Sequence, residues 1–346
     1  MTSAPEIDLS FLDAKPGPAR RPANDAPVPA ALDLHGLSEL NFTDLYLTVE
    51  DATEAFYRIG PNGQNKFGLQ PVPREYSDHM ATIRSQLSKR QSEGSGVIDF
   101  GSVRLRYETA TMADGLRRAA IRRIPIHVPR LTDLSMSPES VKALRTWINE
   151  RGLVLIGGAT GNGKTTTAVA MLHDYLKARP GVAVTIEDPP EYDLQGNLDT
   201  EGHCFQIEVK ADSEWETAVN TVLRWRPRYV MIGEIRCPEA AAQALRASTS
   251  GHLVIATVHG GALDEATDTV LRLAETGMGD GARRLLAHNL VGVVRQSLDA
   301  HGPNIDYINL RRGSTTEAAQ AARKAIMDGN LSPLRQYGTQ FTARGS

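Results

Sequence analysis

The sequence predicts an α/β fold in which a domain with a mostly parallel sheet follows a smaller α+β domain. Two patterns predict this organisation. After Ser137, short and wholly apolar segments alternate with helical patterns, as in a parallel sheet that helices cover on both faces. Between Leu34 and Arg123, short segments alternate apolar and polar residues, which favours an antiparallel sheet. The length of 346 residues also exceeds that of one ordinary domain.

Changes in composition divide the chain into four parts. Residues 1–32 are rich in proline and alanine without periodicity, so they are predicted to form a disordered tail. The N-terminal α+β domain is expected over 33–127, and an interdomain linker that contains prolines over 128–138. The parallel-sheet domain, with its C-terminal helices, then covers 139–346.

In the N-terminal domain, three segments have the alternation of strands and one has the spacing of an amphipathic helix. The predicted strands are Leu45–Val49, Ala55–Ile59 and Val103–Tyr107. A turn at Gly60–Gly63 follows the second strand, and the helix is predicted over Ser77–Leu87.

In the C-terminal domain, a helix leads to an apolar strand, a glycine loop and a second helix, and further strands and helices then alternate. One strand alternates in polarity instead of being apolar throughout, which predicts a place at the edge of the sheet. The predicted strands are Leu153–Ile156, Val182–Ile186, Phe205–Val209 (the edge strand), Tyr229–Ile232 and Leu253–Val258, and the predicted helices are Glu139–Glu150, Lys164–Ala178, Ser213–Trp225, Pro238–Ser248, Leu263–Glu275 and Ala282–Leu298.

Composition excludes several classes of function. The net charge of −3 gives no overall basic field that would attract nucleic acid, so no direct nucleic-acid binding is expected. No apolar run is long enough to span a bilayer, and acidic residues occupy the place of a signal peptide. We therefore expect a cytoplasmic protein whose membrane contact is only peripheral. Cys204 and Cys237 are expected to be ordinary thiols.

The segment Gly158–Thr165 has the spacing of a phosphate-binding loop and lies between an apolar strand and a helix. Glycines let backbone N–H groups converge on phosphate oxygens, and the helix presents its positive end to them. Lys164 can bridge the β- and γ-phosphates, and the Thr165 hydroxyl can bind Mg²⁺. The sequence thus predicts a site for a nucleoside triphosphate and Mg²⁺. Its expected nucleotide-binding residues are Gly158, Ala159, Thr160, Gly161, Asn162, Gly163, Lys164, Thr165 and Thr166.

Hydrolysis needs an acidic residue across the site, and the strand before Glu234 delivers one to its carboxyl end. Glu234 is predicted to orient or deprotonate the attacking water. Gly233 occupies the position where an aspartate is usual, so carboxylates that support Mg²⁺ must come from elsewhere. Glu187 and Glu191 follow another strand and are the candidates, directly or through water. His259 ends a further strand on the same side and could sense the γ-phosphate.

The chain resembles the PilT/GspE superfamily of secretion ATPases, in four motifs that follow the order of that family. They are the phosphate loop, the acidic segment Thr185–Tyr192, Gly233–Arg236 and the histidine-containing segment Gly251–His259. This superfamily includes pilus-retraction motors and the DotB/TraJ-like ATPases of type IV secretion and conjugation.

The resemblance implies a RecA-like ATPase domain preceded by a PAS-like domain, with six subunits in a ring that hydrolyses ATP. It implies that inner-membrane secretion or pilus platform proteins are the partners. Together with the residues themselves, it leads us to expect Lys164, Glu187, Glu234 and His259 as the catalytic residues. Further residues that it implies in nucleotide binding are Arg104, Arg106, Arg122, Arg224 and His252.

Two departures from the family pattern rank the possible roles. Two isolated cysteines cannot build the four-cysteine zinc module of assembly-type members. The segment Ala322–Asn330 matches the C-terminal motif of retraction motors only in part. A type IVB-like secretion or conjugation ATPase therefore ranks first, and a pilus-retraction motor is the alternative. A nucleotide-gated structural ring with little turnover is the alternative of another class.

Overall fold

A computed structural model of the chain describes residues 35–40, 42–51, 54–58, 68–90, 94–100, 103–125, 127–299, 301–311 and 313–342. These residues form two compact units. The N-terminal unit holds the described residues up to His127 together with Glu191–Asp193, and the C-terminal unit holds 128–190 and the residues from Leu194 onward.

The N-terminal unit is an antiparallel sheet with the strand order β3-β2-β1-β6-β5-β4. On one side of this sheet, buried residues such as Leu45, Leu105 and Ile121 pack in one core with Ile83 and Leu87 of the helix α2. The elements of the unit are α1 (His35–Glu39), β1 (Asp44–Thr48), β2 (Ala55–Arg58), β3 (Gln70–Pro71), α2 (Ser77–Ser88), β4 (Gly94–Phe100), β5 (Val103–Thr111) and β6 (Arg117–Ile124).

The C-terminal unit alternates strands with helices. Its first helix begins at Pro138, where the Ser137 side chain accepts a hydrogen bond from the Ser140 backbone N–H and caps the helix. The elements are α3 (Pro138–Arg145), β7 (Gly152–Gly158), α4 (Lys164–Ala178), β8 (Val182–Glu187), β9 (His203–Glu208), α5 (Trp215–Trp225), β10 (Tyr229–Ile235), α6 (Pro238–Thr249), β11 (Leu253–His259), α7 (Leu263–Met278), α8 (Gly281–Asn289), β12 (Leu290–Leu298), β13 (Pro303–Asn309), α9 (Glu317–Asp328) and β14 (Thr339–Phe341).

The eight-stranded sheet has the order β14-β13-β12-β7-β11-β10-β8-β9. The strands from β12 to β9 in this order run parallel, and β13 and β14 are antiparallel to their neighbours. Helix α4 covers one face across β7, β8, β10 and β11. On the other face, Leu155, Val230 and Val254 share a buried core with residues of α5–α9. The parallel sheet therefore has helices on both faces, which is why its central strands are apolar throughout.

The predicted fold class is confirmed: the chain is α/β with a mostly parallel sheet that follows a smaller unit with an antiparallel sheet. The predicted helix Lys164–Ala178 has the predicted bounds, and the strand predicted at the edge, now β9, pairs only with β8 among the described strands. Several other strands extend beyond the predicted bounds, for example β7, whose terminal Gly152 and Gly158 pair with Leu253 and His259 of β11.

The prediction of one helix over Ala282–Leu298 is wrong for the second half of this segment. Helix α8 ends at Asn289, and Leu290–Leu298 form strand β12, which pairs with β7 on one side and β13 on the other. Valines at 291, 293 and 294 favour a strand and are fully buried there. The strands β13 and β14 were not predicted at all.

Three expectations fall partly or wholly outside the described residues: the tail 1–32, the turn Gly60–Gly63 and the last residue of the predicted strand Ala55–Ile59. The residues 128–138, expected as a linker, group with the C-terminal unit, where Leu131 is fully buried. No helix in the described part of the chain is long and apolar enough to cross a membrane.

Candidate active site

Four parallel strands end at one edge of the C-terminal sheet, and their last residues form the candidate site. Strand β7 ends at Gly158, directly opposite His259 at the end of β11. Strand β8 ends at Glu187. Its end lies next to the end of β10, as the pairing of Ile186 with Ile232 shows. Ligands of open α/β sheets bind at this carboxyl edge. The fold thus brings together the phosphate loop, Glu187, Glu234 and His259, as the sequence predicts.

The phosphate loop leaves β7 at Gly158 and enters α4 at Lys164. Gly163 caps the helix with φ +73°, a left-handed conformation that favours glycine. Ala159, Thr160 and Gly161 are exposed, so they are open to a ligand. Thr165 and Thr166 are half-buried in the first turn of α4, where backbone N–H groups have no helical partner and attract anions.

Lys164 is buried beneath the loop, with 7% of its side chain exposed. Its Nζ atom donates a hydrogen bond to the Ala159 carbonyl (3.2 Å) and lies 3.9 Å from Oε1 of Glu234. The ammonium group therefore lies between the loop and the carboxylate of β10. A phosphate held by the loop would meet both groups.

Glu234 also pairs with Arg236, whose Nε atom lies 3.4 Å from Oε2 of Glu234. Arg236 in turn reaches Oδ2 of Asp188 at 3.0 Å. One arginine therefore joins the end of β10 to the turn after β8. The Glu234 side chain is 35% exposed, so water can approach its carboxylate.

Glu187 is almost fully buried, with 1% exposed, and its Oε1 atom accepts a hydrogen bond from Nε2 of Gln206 at 2.8 Å. Its side chain lies against Gly233: a Cβ atom on Gly233 would come within 2.9 Å of Cγ of Glu187. The missing aspartate at position 233 thus has a structural reason, because the Glu187 side chain occupies the adjacent space. The Thr257 hydroxyl donates a hydrogen bond to the Gly233 carbonyl and ties β11 to this point.

Gln296 is a residue of the site that sequence reasoning missed. It is fully buried on β12, and its Nε2 atom donates a hydrogen bond to the Asn162 carbonyl at 2.6 Å. Its Oε1 atom accepts from the Thr167 hydroxyl at 2.8 Å, and Nδ2 of Asn162 donates to its backbone carbonyl at 3.3 Å. Gln296 therefore braces both the phosphate loop and α4. Its segment was interpreted as a helix, so no signal placed it there.

The structure does not bring Arg224 and His252 to the phosphate loop of the same chain, and their role in nucleotide binding stays a prediction. His252 precedes β11, and its buried ring contacts the Pro227 carbonyl at the opposite edge of the sheet. Arg224 lies in the last turn of α5, just before β10 begins. A helix that connects two parallel strands runs back against them, so its end lies at the edge where strands start.

Arg104, Arg106 and Arg122 lie on β5 and β6 of the N-terminal unit. Arg106 pairs with Arg122 across these strands, and Arg122 pairs with Asp44 of β1. Nε of Arg122 donates to Oδ1 of Asp44 at 3.0 Å, and Arg104 forms ion pairs with Asp99 (3.2 Å) and Asp193 (3.0 Å). Glu191, which groups with this unit, is exposed. The nucleotide and metal roles of these four residues stay predictions.

Both cysteines are free and buried, and burial raises the pKa of each thiol, that of Cys237 to about 11. The Sγ atom of Cys237 accepts a hydrogen bond from the Ala240 N–H at 3.5 Å and so caps α6. Cys237 thus does what oxygen-bearing side chains such as aspartate or serine commonly do at the start of a helix.

Taken together, the site offers backbone donors and a lysine for phosphate, hydroxyl and carboxylate oxygens for a hard cation, and a water-accessible glutamate. Oxygen ligands such as the Thr165 hydroxyl and the Glu187 carboxylate are those that Mg²⁺ prefers. The fold and this edge define a RecA-like P-loop protein. Residues 95–323 match the family described as Type II/IV secretion system protein, and the chain belongs to this family.

Relatives of known role are similar to this chain over different lengths. The type II secretion system protein HxcR of Pseudomonas aeruginosa is 39% identical over 170 residues, which are 49% of this chain and 34% of HxcR. The chain therefore spans about a third of that relative. The crystal structure of the pilus retraction motor PilT with bound ADP has a TM-score of 0.65 and 25% identity, and covers 89% of both chains. The ATPase DotB of Legionella pneumophila shares the fold, with a TM-score of 0.64 and 20% identity over 88% of this chain and 87% of DotB.

Proposed function

We propose that this chain is a motor ATPase that hydrolyses ATP at the carboxyl edge of its C-terminal sheet. One observation carries the proposal: Lys164 of the phosphate loop and Glu234 of β10 lie 3.9 Å apart beside the open first turn of α4. A phosphate-binding group and a carboxylate able to activate water are thus adjacent. Membership of the secretion family and the ADP bound in the similar PilT structure support ATP as the nucleotide.

The loop Gly158–Thr166 binds the phosphates through its backbone N–H groups and Lys164. On binding, the Lys164 ammonium exchanges the Ala159 carbonyl for phosphate oxygens. The Thr165 hydroxyl and the Glu187 carboxylate would hold Mg²⁺, which neutralises charge on the β- and γ-phosphates when bound. Glu191 would support the ion through water.

Glu234 accepts a proton from the attacking water and orients it toward the γ-phosphate. Arg236 positions this carboxylate by pairing with both Glu234 and Asp188. His259, exposed beside the end of the loop strand, would detect the presence of the γ-phosphate and signal its loss.

The work that this hydrolysis drives is proposed to be type IVB-like protein secretion or conjugative transfer. A homohexameric cytoplasmic ring, docked on inner-membrane platform proteins, would perform it. The family match supports a secretion or pilus role, and the departures at the zinc module and the C-terminal motif favour the type IVB-like branch. Pilus retraction is the alternative role, since the PilT structure is similar over most of the chain.

The test is the rate of ATP hydrolysis per subunit, measured against protein concentration together with the molecular mass in solution. We expect the specific activity to rise as rings assemble, because each motor site is completed in the assembly. Bound ATP with a flat, near-zero rate at all concentrations would instead favour a structural ring.

A further inference from the structure

The edge of the C-terminal sheet opposite the phosphate loop carries a separate cluster of side chains. Strands β8, β9 and β10 all start there, side by side. Six residues at or near these starts are basic or aromatic, and we call them the basic edge: Arg179, His203, Phe205, Trp225, Arg226 and Arg228.

Backbone pairing makes the basic edge continuous. The Arg228 N–H donates to the Val182 carbonyl at 2.7 Å, and the His203 N–H donates to the Gly181 carbonyl at 2.8 Å. Arg228 also donates from Nε to the Tyr229 hydroxyl at 3.1 Å. Burial raises the pKa of that hydroxyl, and the positive charges of Arg228 and Arg179 partly oppose the rise.

The cations of the basic edge lack acidic partners. In the part of the chain that the structure describes, Arg179, Arg226 and Arg228 form no ion pair with a carboxylate. Arg226 and Arg228 are exposed. Most surface arginines of this protein do pair, for example Arg246 with Glu216 and Arg335 with Asp264. Unpaired guanidinium groups concentrated at one edge of a chain with net charge −3 are therefore available to an outside anion.

An aromatic group accompanies these cations. Trp225 is 50% exposed, and its ring contacts Phe205 edge-on at 5.3 Å between centroids. His203 lies 4.5 Å from Phe205 on the other side. Exposed tryptophan and unpaired arginine are the residues enriched at the centres of protein interfaces.

Charge and shape distinguish between the possible anionic partners. The exposed residues Asp199 and Glu201 lie in the loop before β9, and they would repel a flat anionic bilayer laid against this edge. A narrow segment can avoid them. Guanidinium groups bind carboxylates bidentately, so carboxylate side chains of such a segment can pair with them in a fixed geometry.

We propose that the basic edge binds a carboxylate-rich, partly apolar segment of a partner protein. Carboxylates would pair with Arg226 and Arg228, and an apolar residue of the segment would pack on Trp225. This docking surface lies at the sheet edge opposite the catalytic groups and does not depend on ATP hydrolysis.

Tryptophan fluorescence gives a direct measurement. Of the three tryptophans, Trp147 and Trp215 are buried (0% and 3% exposed), so acrylamide quenches chiefly Trp225. The probe is a short synthetic peptide of alternating glutamate and leucine, and the same peptide with glutamine in place of glutamate is the control. We expect the acidic peptide to bind the full chain, shield Trp225 from acrylamide and dissociate with added salt.

The double variant Arg226→Glu/Arg228→Glu should bind the peptide at least about tenfold more weakly. Arg284→Glu, an exposed arginine on α8, is the matched control and should bind like the unchanged chain. If the double variant does not fold, Trp225→Ala tests the aromatic contact; because this variant lacks the reporting tryptophan, its affinity is measured from the fluorescence anisotropy of a labelled peptide. Equal affinity in all variants, or tighter binding to phosphatidylglycerol vesicles or to duplex DNA than to the peptide, would overturn the proposal.

Discussion

At the scale of single residues, the candidate site combines side chains that chemistry dictates with one that only the fold brings in. Lys164, Thr165 and Glu234 are predicted to bind phosphate, bind metal and activate water, because each task requires one kind of side chain at one spacing. Gln296 illustrates what such reasoning misses. Its partner Asn162 lies 134 positions away, and only the pairing of β12 beside β7 brings them together.

Replacing Gln296 with glutamate should weaken ATP binding. The new oxygen would face the Asn162 carbonyl, so a 2.6 Å hydrogen bond becomes a repulsion beneath the phosphate loop. We expect a loss of about 1–3 kcal/mol in binding, from one broken buried hydrogen bond. Gln340→Glu on the exposed strand β14 is the control. Equal dissociation constants for a fluorescent ATP analogue in the two variants would contradict the bracing role.

Asp44 should make the stability of the N-terminal unit depend on pH. Burial raises the pKa of Asp44, but Arg122 and Arg58 outweigh it, so the pKa lies below its ordinary value. Because the pKa is lower in the folded state, the carboxylate stabilises the fold at pH values above its pKa in the unfolded state, about 3.9. This contribution is lost as the pH falls through the pKa of the folded state.

Asp44→Asn should therefore reduce the free energy of unfolding at neutral pH by about 1–3 kcal/mol. The melting temperature should fall accordingly. The difference from the unchanged protein should shrink as the pH falls below about 4. Calorimetry against pH measures this, with Asp99→Asn, an exposed pair partner of Arg104, as the control. A difference that does not change with pH would show that the charge of Asp44 is not the cause.

At the scale of elements, apolar periodicity located strands whose burial is complete and misjudged one boundary between helix and strand. The segment Ala282–Leu298 keeps an apolar spacing that suits a helix as far as Asn289. The valines that follow lie on β12, which pairs with β7 on one side and β13 on the other. Their side chains are buried on both faces of the sheet. A short apolar run of this kind does not distinguish a buried strand from a buried helix.

Glu187 of β8 packs against Gly233 of β10, so a methyl group added at position 233 should destabilise the protein. Gly233→Ala would place its Cβ atom 2.9 Å from Cγ of Glu187, so the buried Glu187 side chain must move. We expect about 1–3 kcal/mol of lost stability from overpacking, together with reduced hydrolysis. Gly281→Ala, whose added methyl group meets nothing within 4 Å, is the matched control. Unchanged stability and activity for Gly233→Ala would show that the end of the strand can relax.

At the scale of the whole molecule, alternating strands and helices predicted the architecture, since a parallel sheet requires a crossover helix between neighbouring strands. The antiparallel strands β13 and β14 were missed: the segment before them had been interpreted as a helix, and no strand was predicted after it. Sequence order also did not reveal which edge of the sheet each residue would reach. Arg224 and His252, whose predicted role follows from the family resemblance, lie at the edge opposite the phosphate loop of the same chain.

The catalytic role of Glu234 is tested most directly by ATP hydrolysis by Glu234→Gln in a single turnover, with ATP binding measured in parallel. We expect ATP to bind within a few-fold of the unchanged affinity, because Lys164 and the loop remain. Hydrolysis should fall by about 10²–10⁴-fold, because glutamine cannot accept the proton of water. Hydrolysis at the unchanged rate would contradict the assignment of Glu234 and, with it, the proposed mechanism at this edge of the sheet.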